Sequence, residues 1–280
     1  MIKYLFILLM LFGILINISA QSIKVTTYNI RYDNPNDGEN RWDNRKEFLT
    51  NQMKFNEPDF LGVQEALLHQ VSFIDSTLPE FKYIGVGRNE GKLDGEFSAV
   101  FYNYTKYNLL KGSTFWLSET PDIPSKGWDA ALNRICTYGL FENKSSKEKL
   151  WIFNTHFDHR GVEARRESTK LIVEKINELN SNNYPIVLMG DLNLEPNTEA
   201  IKFLSKELVD SKYASNLIFG PTGTFNGFNF SKPVTKRIDY IFVSKENIDV
   251  LKYAVLSDSE DCRYPSDHLP VFVEILFTKN

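Results

Sequence analysis

A buried strand followed by an acidic turn is predicted at Pro185-Ile186-Val187-Leu188-Met189-Gly190-Asp191-Leu192-Asn193. The apolar run is typical of a core strand, and Gly190 allows the backbone to turn sharply after it. The spacing of Asp191 and Asn193 can direct both side chains into one pocket. There a carboxylate can orient or deprotonate water and an amide can donate to a phosphoryl oxygen. For these residues in isolation, an Asx-turn that closes a loop is the alternative.

The same arrangement recurs along the chain, with polar residues placed where an apolar strand ends or begins. The other motifs are Thr27-Tyr28-Asn29-Ile30, Gly62-Val63-Gln64-Glu65, Asn154-Thr155-His156-Phe157-Asp158, Arg237-Ile238-Asp239-Tyr240-Ile241-Phe242 and Ser266-Asp267-His268-Leu269-Pro270. Loops held by a rigid scaffold commonly carry catalytic groups. We therefore expect these motifs to meet at one rim of the fold, in a site that binds a hard cation and cleaves a phosphate ester.

The order of predicted elements indicates an α/β protein with two sheets packed face to face and helices outside. Many strands alternate irregularly with a few helices, which are predicted near 43–55, 67–78, 162–179 and from 197. On the first helix, the inner face is predicted to include Phe48, Leu49, Met53 and Phe55. Residues 21–280 contain no internal repeat or long linker, and we interpret them as one domain.

The first 20 residues have the pattern of a secretory signal peptide, with Lys3, an apolar run and a small-residue exit at Ala20. The run is shorter than the ~20 residues that a membrane span requires. We therefore expect an exported protein, periplasmic or secreted, that starts at Gln21 and has no membrane span. An uncleaved anchor is the alternative.

The charge balance argues against tight binding to nucleic acid. Loss of Lys3 with the signal peptide changes the net charge from −4 to −5, and no long basic run is present. Non-specific nucleic-acid binding requires many Lys and Arg contacts to phosphate. We expect a phosphate-ester substrate, no stable nucleic-acid complex and a monomer. We also expect Cys136 and Cys262 to remain unpaired.

Several polar residues need partners or offer positive charge. Asp239 lies inside an apolar run, where an unpaired carboxylate is costly, and pairing with His268 would satisfy it and orient the imidazole. Arg134 enters an apolar strand and is interpreted as a phosphate-binding residue. Arg165 or Arg166, at the start of the long helix, can grip a phosphate bidentately or belong to a solvated helix face.

Taken together, these residues resemble the endonuclease/exonuclease/phosphatase superfamily, related in fold to deoxyribonuclease I. The resemblance covers residues 22–277, and the motifs occur in the family's order. The stretch Phe115-Trp116-Leu117-Ser118-Glu119-Thr120-Pro121-Asp122, with Gly127-Trp128-Asp129, is similar to secreted bacterial proteins related to the carbon-catabolite-repressor-type deadenylases. The resemblance implies a four-layer sandwich of two mixed, largely antiparallel β-sheets flanked by α-helices.

The resemblance also implies a Mg²⁺ or Mn²⁺ site. By the family pattern, Glu65 is the main metal ligand, and Asn29 and Asp267 lie near the same cation. Some relatives carry an acidic residue two positions after the first asparagine, where this chain has Arg31. That difference weakens the case for a second metal ion at this position.

For the reaction, the resemblance implies that Asp191 positions or activates water. Asn193 and His156 would contact the scissile phosphate. His268, oriented by Asp239, would stabilise the charged transition state or act as a base.

Two classes of function remain open from the sequence. The first is a phosphoesterase, which could be a nuclease, a sugar- or inositol-phosphate phosphatase, or a phospholipid or sphingomyelin hydrolase. The second is a catalytically inactive module that binds a phosphate ligand on the same fold. Specificity is expected to lie in the loops at 33–42, 88–97, 118–133 and 220–235, and Trp116 and Trp128 either line the substrate wall or pack in the core.

Overall fold

The computed structural model describes residues 22–278, so the predicted signal peptide lies outside the described residues. The strands are β1 Ile23–Asn29, β2 Phe60–Ala66, β3 Phe81–Ile84, β4 Phe97–Asn103, β5 Tyr107–Trp116, β6 Ile135–Asn143, β7 Lys149–His156, β8 Ile186–Asp191, β9 Val209–Asp210, β10 Ile218–Phe219, β11 Asp239–Val243, β12 Ile248–Val255 and β13 Val271–Phe277. The helices are α1 Trp42–Asn56, α2 Leu68–Thr77, α3 Val162–Leu179, α4 Glu199–Glu207 and α5 Ser211–Ala214, with a 3₁₀ helix at Pro35–Asn40.

The strands form two mixed sheets. The first has seven strands in the order β10-β12-β13-β1-β2-β4-β3, and the second has six in the order β5-β6-β7-β8-β11-β9. Only the pairs β1–β2, β10–β12 and β7–β8 are parallel among the described strands. The prediction of two mixed, largely antiparallel sheets is confirmed.

Three apolar clusters account for the layered packing. One fills the space between the sheets and includes Val25, Ile152 and Val271. The outer face of the first sheet packs on α1 and α2, and the outer face of the second packs on α3 and α4. The central strands thereby bury both faces, which explains why they are apolar along most of their length.

The two sheets are in tight contact beneath the predicted motifs. A side chain at Gly62 would place its Cβ 2.7 Å from Met189 Cε and 2.8 Å from Asn154 Cγ. The Asn154 amide crosses this gap, donating to the backbone oxygens of Val63 and Ala99 at 3.0 and 2.8 Å. Its Oδ1 accepts from Gln64 Nε2 at 2.6 Å, so a buried amide bridge joins the sheets directly under the rim.

Some details of the sequence interpretation were wrong. Phe55 is 88% exposed rather than part of the inner face of α1, while Leu49 and Met53 are buried there as predicted.

Trp116 is buried, and its Nε1 donates to the Arg88 carbonyl at 2.7 Å. Cys136 is buried and Cys262 exposed, and both are free, as predicted. Among residues 22–278, no helix combines the length and apolarity needed to cross a membrane.

Candidate active site

The central strands of both sheets end at one rim. Asn29 is the last residue of β1, and Glu65 lies near the end of the neighbouring parallel strand β2. In the second sheet, His156 and Asp191 end the parallel strands β7 and β8 and are register partners. The pairing of parallel strands thus brings the four polar side chains to the same edge of the sandwich.

A second imidazole reaches this rim from the turn before β13. His268 Nδ1 lies 2.9 Å from Asp239 Oδ2, and an ionised carboxylate only accepts, so the imidazole donates. This confirms the predicted pairing. Asp239 is in turn the register partner of Asp191 across β11 and β8. His268 Nε2 lies 3.8 Å from Asp191 Oδ2, so one imidazole faces both carboxylates.

The backbone at the rim is held in sparsely populated conformations. Glu65, Asn193 and Arg31 all have positive φ, at 63°, 49° and 56°. A Cβ on Gly190, whose φ is 148°, would lie 2.0 Å from the Thr155 carbonyl oxygen, so no side chain fits there. Strained residues of this kind cluster at functional sites, where the surrounding structure fixes them.

Asn29 connects the two halves of the site. Its Nδ2 donates to Glu65 Oε1 at 3.0 Å and to Asp191 Oδ2 at 2.9 Å. Its Oδ1 accepts the Arg31 backbone N–H at 3.0 Å. In this arrangement the Asn29 amide nitrogen bridges two carboxylates, one on each sheet.

These side chains surround an open cleft of about 420 Å³. Of the predicted site residues, the cleft is lined by Glu65, Arg134, His156, Asp191, Asn193, Asp267 and His268. Asn29 and Asp239 lie beneath it, hydrogen bonded to lining residues.

The acidic donors fit a divalent cation. Ligand atoms of Glu65, His156 and Asp191 lie within 4.8 Å of one another. Asp267 lies beside this group, and Arg31 Nη1 is 3.8 Å from Asp267 Oδ2 and 4.0 Å from Glu65 Oε2. Burial raises the pKa of Asp191 to about 7, with the Asp239 charge adding to it, and burial also raises the pKa of Asp267. Such buried carboxylates are stabilised by a hard cation, which prefers oxygen donors.

Arg134, which directly precedes β6 of the second sheet, brings a positive charge to the cleft and is 4% exposed. Its Nε lies 3.4 Å from Asp158 Oδ2, and its Nη2 donates to His159 Nδ1 at 3.0 Å. Its Nη1 is buried and has no hydrogen-bond partner among the described residues. A buried donor without a partner is costly, and an oxyanion in the cleft would satisfy it.

Arg165 and Arg166 do not line the cleft. Arg165 Nη1 donates to the Asp158 carbonyl oxygen at 3.0 Å, and Arg166 pairs with Glu163 on the helix surface. The structure therefore brings Arg134, but neither residue of this pair, to the site.

His156 is held as a neutral ring. Burial lowers the pKa of His156 well below its usual range, and the charges of Arg134 and Arg88 lower it further. Asn193 Nδ2 lies 3.1 Å from His156 Nε2 and 3.1 Å from the Phe157 carbonyl oxygen. Because both amide hydrogens are used within the protein, Asn193 positions the imidazole in this arrangement.

Several cleft residues were not singled out as site residues from the sequence: Arg31, Tyr32, Glu96, Leu132, His159, Phe225, Lys236 and Ile238. Three of the four loops expected to set specificity contribute, through Glu96, Leu132 and Phe225. His159 lies three residues after His156, and this proximity in the sequence could have indicated that His159 belongs to the site. Trp116 and Trp128 do not line the cleft.

Comparison with known proteins shows the family to which the chain belongs. The model of the Endonuclease/Exonuclease/phosphatase family matches residues 26–268. The chain therefore belongs to the endonuclease/exonuclease/phosphatase family, and the superfamily predicted from the motifs is confirmed.

Similar structures cover nearly the whole chain. A family member from Bacteroides thetaiotaomicron has a TM-score of 0.89 and 40% identity, covering 93% of this chain and 99% of its own. The mannosyl-6-phosphatase Bt3783 of Bacteroides thetaiotaomicron VPI-5482 has a TM-score of 0.87 and 40% identity, covering 91% and 100%.

The likeness to human Nocturnin is more distant. Human Nocturnin is 23% identical over 266 residues, which cover 85% of this chain and 59% of Nocturnin. The chain spans about three fifths or less of the length of the curated relatives it matches. These relatives support the superfamily.

Proposed function

We propose that this protein is an exported phosphoesterase that uses Mg²⁺ or Mn²⁺ to hydrolyse a small phosphate ester of the sugar-phosphate class. The observation that carries the proposal is the single cleft lined by seven predicted residues, with the Asp239–His268 pair at its base. A carboxylate cluster, two imidazoles and a buried arginine form the set that metal-assisted phosphoryl transfer requires.

Two observations favour a small, polar substrate over a nucleic acid. The mannosyl-6-phosphatase of Bacteroides is 40% identical and is covered in full. The cleft is compact, with Arg134 and Lys236 on its lining and the half-buried rings of Tyr32 and Phe225 beside it. Aromatic faces and a few cations suit a phosphorylated sugar, whereas polymer binding relies on many phosphate contacts.

The reaction we propose is in-line attack of water on phosphorus, in which the bond to the water oxygen forms as the ester P–O bond breaks and the sugar leaves as an alcohol, with its proton taken from solvent. Glu65 and Asp267 would hold the cation, which supplies neutralisation of the charge that develops on the phosphoryl oxygens. Asp191 accepts the proton of the attacking water. Its pKa, raised to about 7, lies near the working range of a general base.

The remaining residues bind the phosphoryl group, and His268 also stabilises the charge of the transition state. Burial lowers the pKa of His268, but the negative charges of Asp239 and Asp191 together have the larger effect and raise this pKa to about 10. The ring is then a cation at neutral pH and donates to the phosphoryl group, so a role as base is disfavoured. Arg134 Nη1 binds a phosphoryl oxygen, and Asn193 and His156 lie beside the scissile phosphate.

The competing hypothesis is a module that binds a phosphate ligand without hydrolysing it. A screen of purified protein with Mg²⁺ or Mn²⁺ distinguishes the two, with phosphate release measured from sugar phosphates and inositol phosphates. Nucleotides, single-stranded DNA and RNA, and sphingomyelin complete the panel. We expect turnover of a sugar phosphate that is lost in Asp191→Asn and retained in the exposed control Asp249→Asn. Binding without turnover across the panel would favour the inactive module. Turnover of nucleic acid alone would show that the substrate is a nucleic acid rather than a sugar phosphate.

Export and a monomeric state are parts of the same proposal. Export is supported by the signal-peptide pattern of residues 1–20. Mass spectrometry of the cell envelope and medium should find a chain that begins at Gln21, and light scattering should give the mass of one chain. A chain that retains Met1 would favour the anchor.

A further inference from the structure

Thr224 contacts the two segments that carry the Asp239–His268 pair. Its side chain is fully buried, and its Oγ1 accepts the backbone N–H groups of Ile238 at 3.0 Å and Asp239 at 3.1 Å. Its carbonyl oxygen accepts the N–H of Leu269, the residue after His268, at 2.7 Å. Thr224 therefore binds the backbone beside both members of the pair.

The next two residues of this loop extend the contact along the turn before β13. The backbone N–H of Asn226 donates to the Asp267 carbonyl oxygen at 2.8 Å, and Asn226 Nδ2 donates to the Ser266 carbonyl oxygen at 3.0 Å. The Phe225 ring packs edge-on against the His268 imidazole, with the ring centres 5.0 Å apart. The loop thus holds this turn at its backbone and at its imidazole.

The Asp239 carboxylate depends on such support. Its Oδ2 accepts from His268 at 2.9 Å, and its Oδ1 has no hydrogen-bond partner among the described residues. Asp239 lies on the second sheet, whereas His268 precedes β13 of the first sheet. Because a single hydrogen bond joins two side chains from different sheets, a small shift of either backbone changes its geometry.

We propose that Thr224 is a positioning residue, whose hydroxyl oxygen sets the geometry of the Asp239–His268 pair for catalysis. Without this oxygen, the buried N–H groups of Ile238 and Asp239 lose their acceptor, which is costly, and the chain at Asp239 shifts to find another. A displacement of about 1 Å can lower the rate of an enzyme by about 10²-fold. The inference rests on the proposed function, because it concerns turnover. The alternative is a side-chain contact that closes the loop and contributes only to stability.

Three variants test the role of the hydroxyl. Thr224→Val has nearly the same shape but lacks the oxygen, whereas Thr224→Ser keeps it. The control Thr50→Val removes another fully buried threonine hydroxyl, which donates to the Lys46 carbonyl oxygen within α1. We expect Thr224→Val to lower kcat by about 10- to 100-fold with little change in KM. Thr224→Ser should recover most of this loss, and Thr50→Val should lose stability in urea while keeping the wild-type kcat.

A second readout does not require turnover. The chain contains four histidines, so long-range proton–nitrogen NMR spectra of protein labelled only at histidine can resolve the ring nitrogens of His268. Their signals are assigned by their loss in His268→Gln. The hydrogen bond to Asp239 sets the resonance of Nδ1. We expect this resonance to move in Thr224→Val and to keep its wild-type position in Thr224→Ser and Thr50→Val.

The outcomes separate the two proposals. A folded Thr224→Val that keeps the wild-type kcat, or that leaves the His268 resonances unchanged, overturns the positioning role and leaves the phosphoesterase standing. Absence of turnover by the wild type overturns the phosphoesterase, and the resonances then decide whether Thr224 orients the pair. If Thr224→Val does not fold by circular dichroism, Thr224→Ala and Thr224→Ser, which differ only in the hydroxyl, are compared by the same two criteria.

Discussion

Asp191 and Asp239 are register partners on adjacent antiparallel strands, and the His268 imidazole faces both. Two buried carboxylates so placed repel each other, which helps to raise the pKa of Asp191 to about 7. The same pair raises the pKa of His268 to about 10 against the effect of burial. Strand pairing therefore places a weak acid, Asp191, beside a stable cation, His268. When the surroundings of two titratable groups move their pKa values apart, the difference indicates which group acts as acid and which as base.

Glu65→Gln is expected to abolish phosphate release, as is an excess of chelator. The carboxylate contributes negative charge to the group with His156 and Asp191, and an amide binds a hard cation more weakly. Activity is measured with the best substrate of the panel at saturating Mg²⁺. The control Glu39→Gln removes an exposed carboxylate and should retain the wild-type rate. Full activity in excess chelator would refute metal dependence.

Asp191→Asn and His268→Ala are expected to lower kcat with little change in KM. Both groups act mainly in the transition state, and a positioned acid–base group contributes about 10²- to 10⁴-fold. Steady-state kinetics of folded variants give the two constants separately. A variant that keeps near-wild-type kcat would show that the role was assigned to the wrong residue.

Arg134→Lys is expected to raise KM more than it lowers kcat. Lysine keeps the positive charge near Asp158. It lacks the planar guanidinium of arginine, in which Nη2 binds His159 while Nη1 remains available for a phosphoryl oxygen. A charge-assisted hydrogen bond contributes about 1.5–3 kcal/mol, so KM should rise by about 10- to 100-fold. Arg166→Lys, on the exposed face of α3, is the control, and an equal effect in both variants would contradict phosphate binding by Arg134.

The stability that His268 provides is expected to fall as pH rises. The pKa of His268 is about 10 in the native state, against about 6.5 for an unfolded histidine. Native protein therefore binds more protons between these values, and the stabilisation is full below about pH 6.5 and lost as pH rises through 10. Urea unfolding of chelator-treated wild type and His268→Gln should show a difference that shrinks from pH 6 to pH 10. A constant difference would contradict the raised pKa.

Gly190→Ala is expected to destabilise the fold, because its Cβ would lie 2.0 Å from the Thr155 carbonyl oxygen. Overpacking in a well-packed interior costs about 1–3 kcal/mol or more. Gly38→Ala is the matched control, since Gly38 also has a positive φ but its Cβ would meet no atom within 4 Å. Equal losses of unfolding free energy in urea would show that backbone conformation, rather than the contact, sets the cost.

The parts of the structure that depend on local pattern were predictable from the sequence. The amphipathic period of α3 gave its observed bounds, Val162–Leu179. The cost of burying Asp239 alone predicted its pairing with His268. In both cases the physical requirement lies within a short segment, or follows from a charge that must be neutralised.

The parts that depend on distant packing were not predictable. The apolar character of Phe55 indicates burial, but whether a partner reaches the last turn of α1 depends on tertiary structure, and none covers this ring. The orientation of Arg31 depends on Arg45 and Asp37, and the sequence does not reveal that convergence. For Arg165 the sequence allows either phosphate binding or a solvated helix face, and its bond to the Asp158 carbonyl oxygen depends on tertiary packing that the sequence does not reveal.

The amide bridge of Asn154 and Gln64 has a consequence for how activity arises during folding. The first sheet carries Glu65 and the turn of His268, and the second carries Asp191 and Asp239, so neither sheet alone contains a working site. Strand formation within one sheet produces no catalysis. Under the proposed function, phosphate release regained during refolding would therefore report the docking of the two sheets, and it should lag behind the circular-dichroism signals that report strand formation.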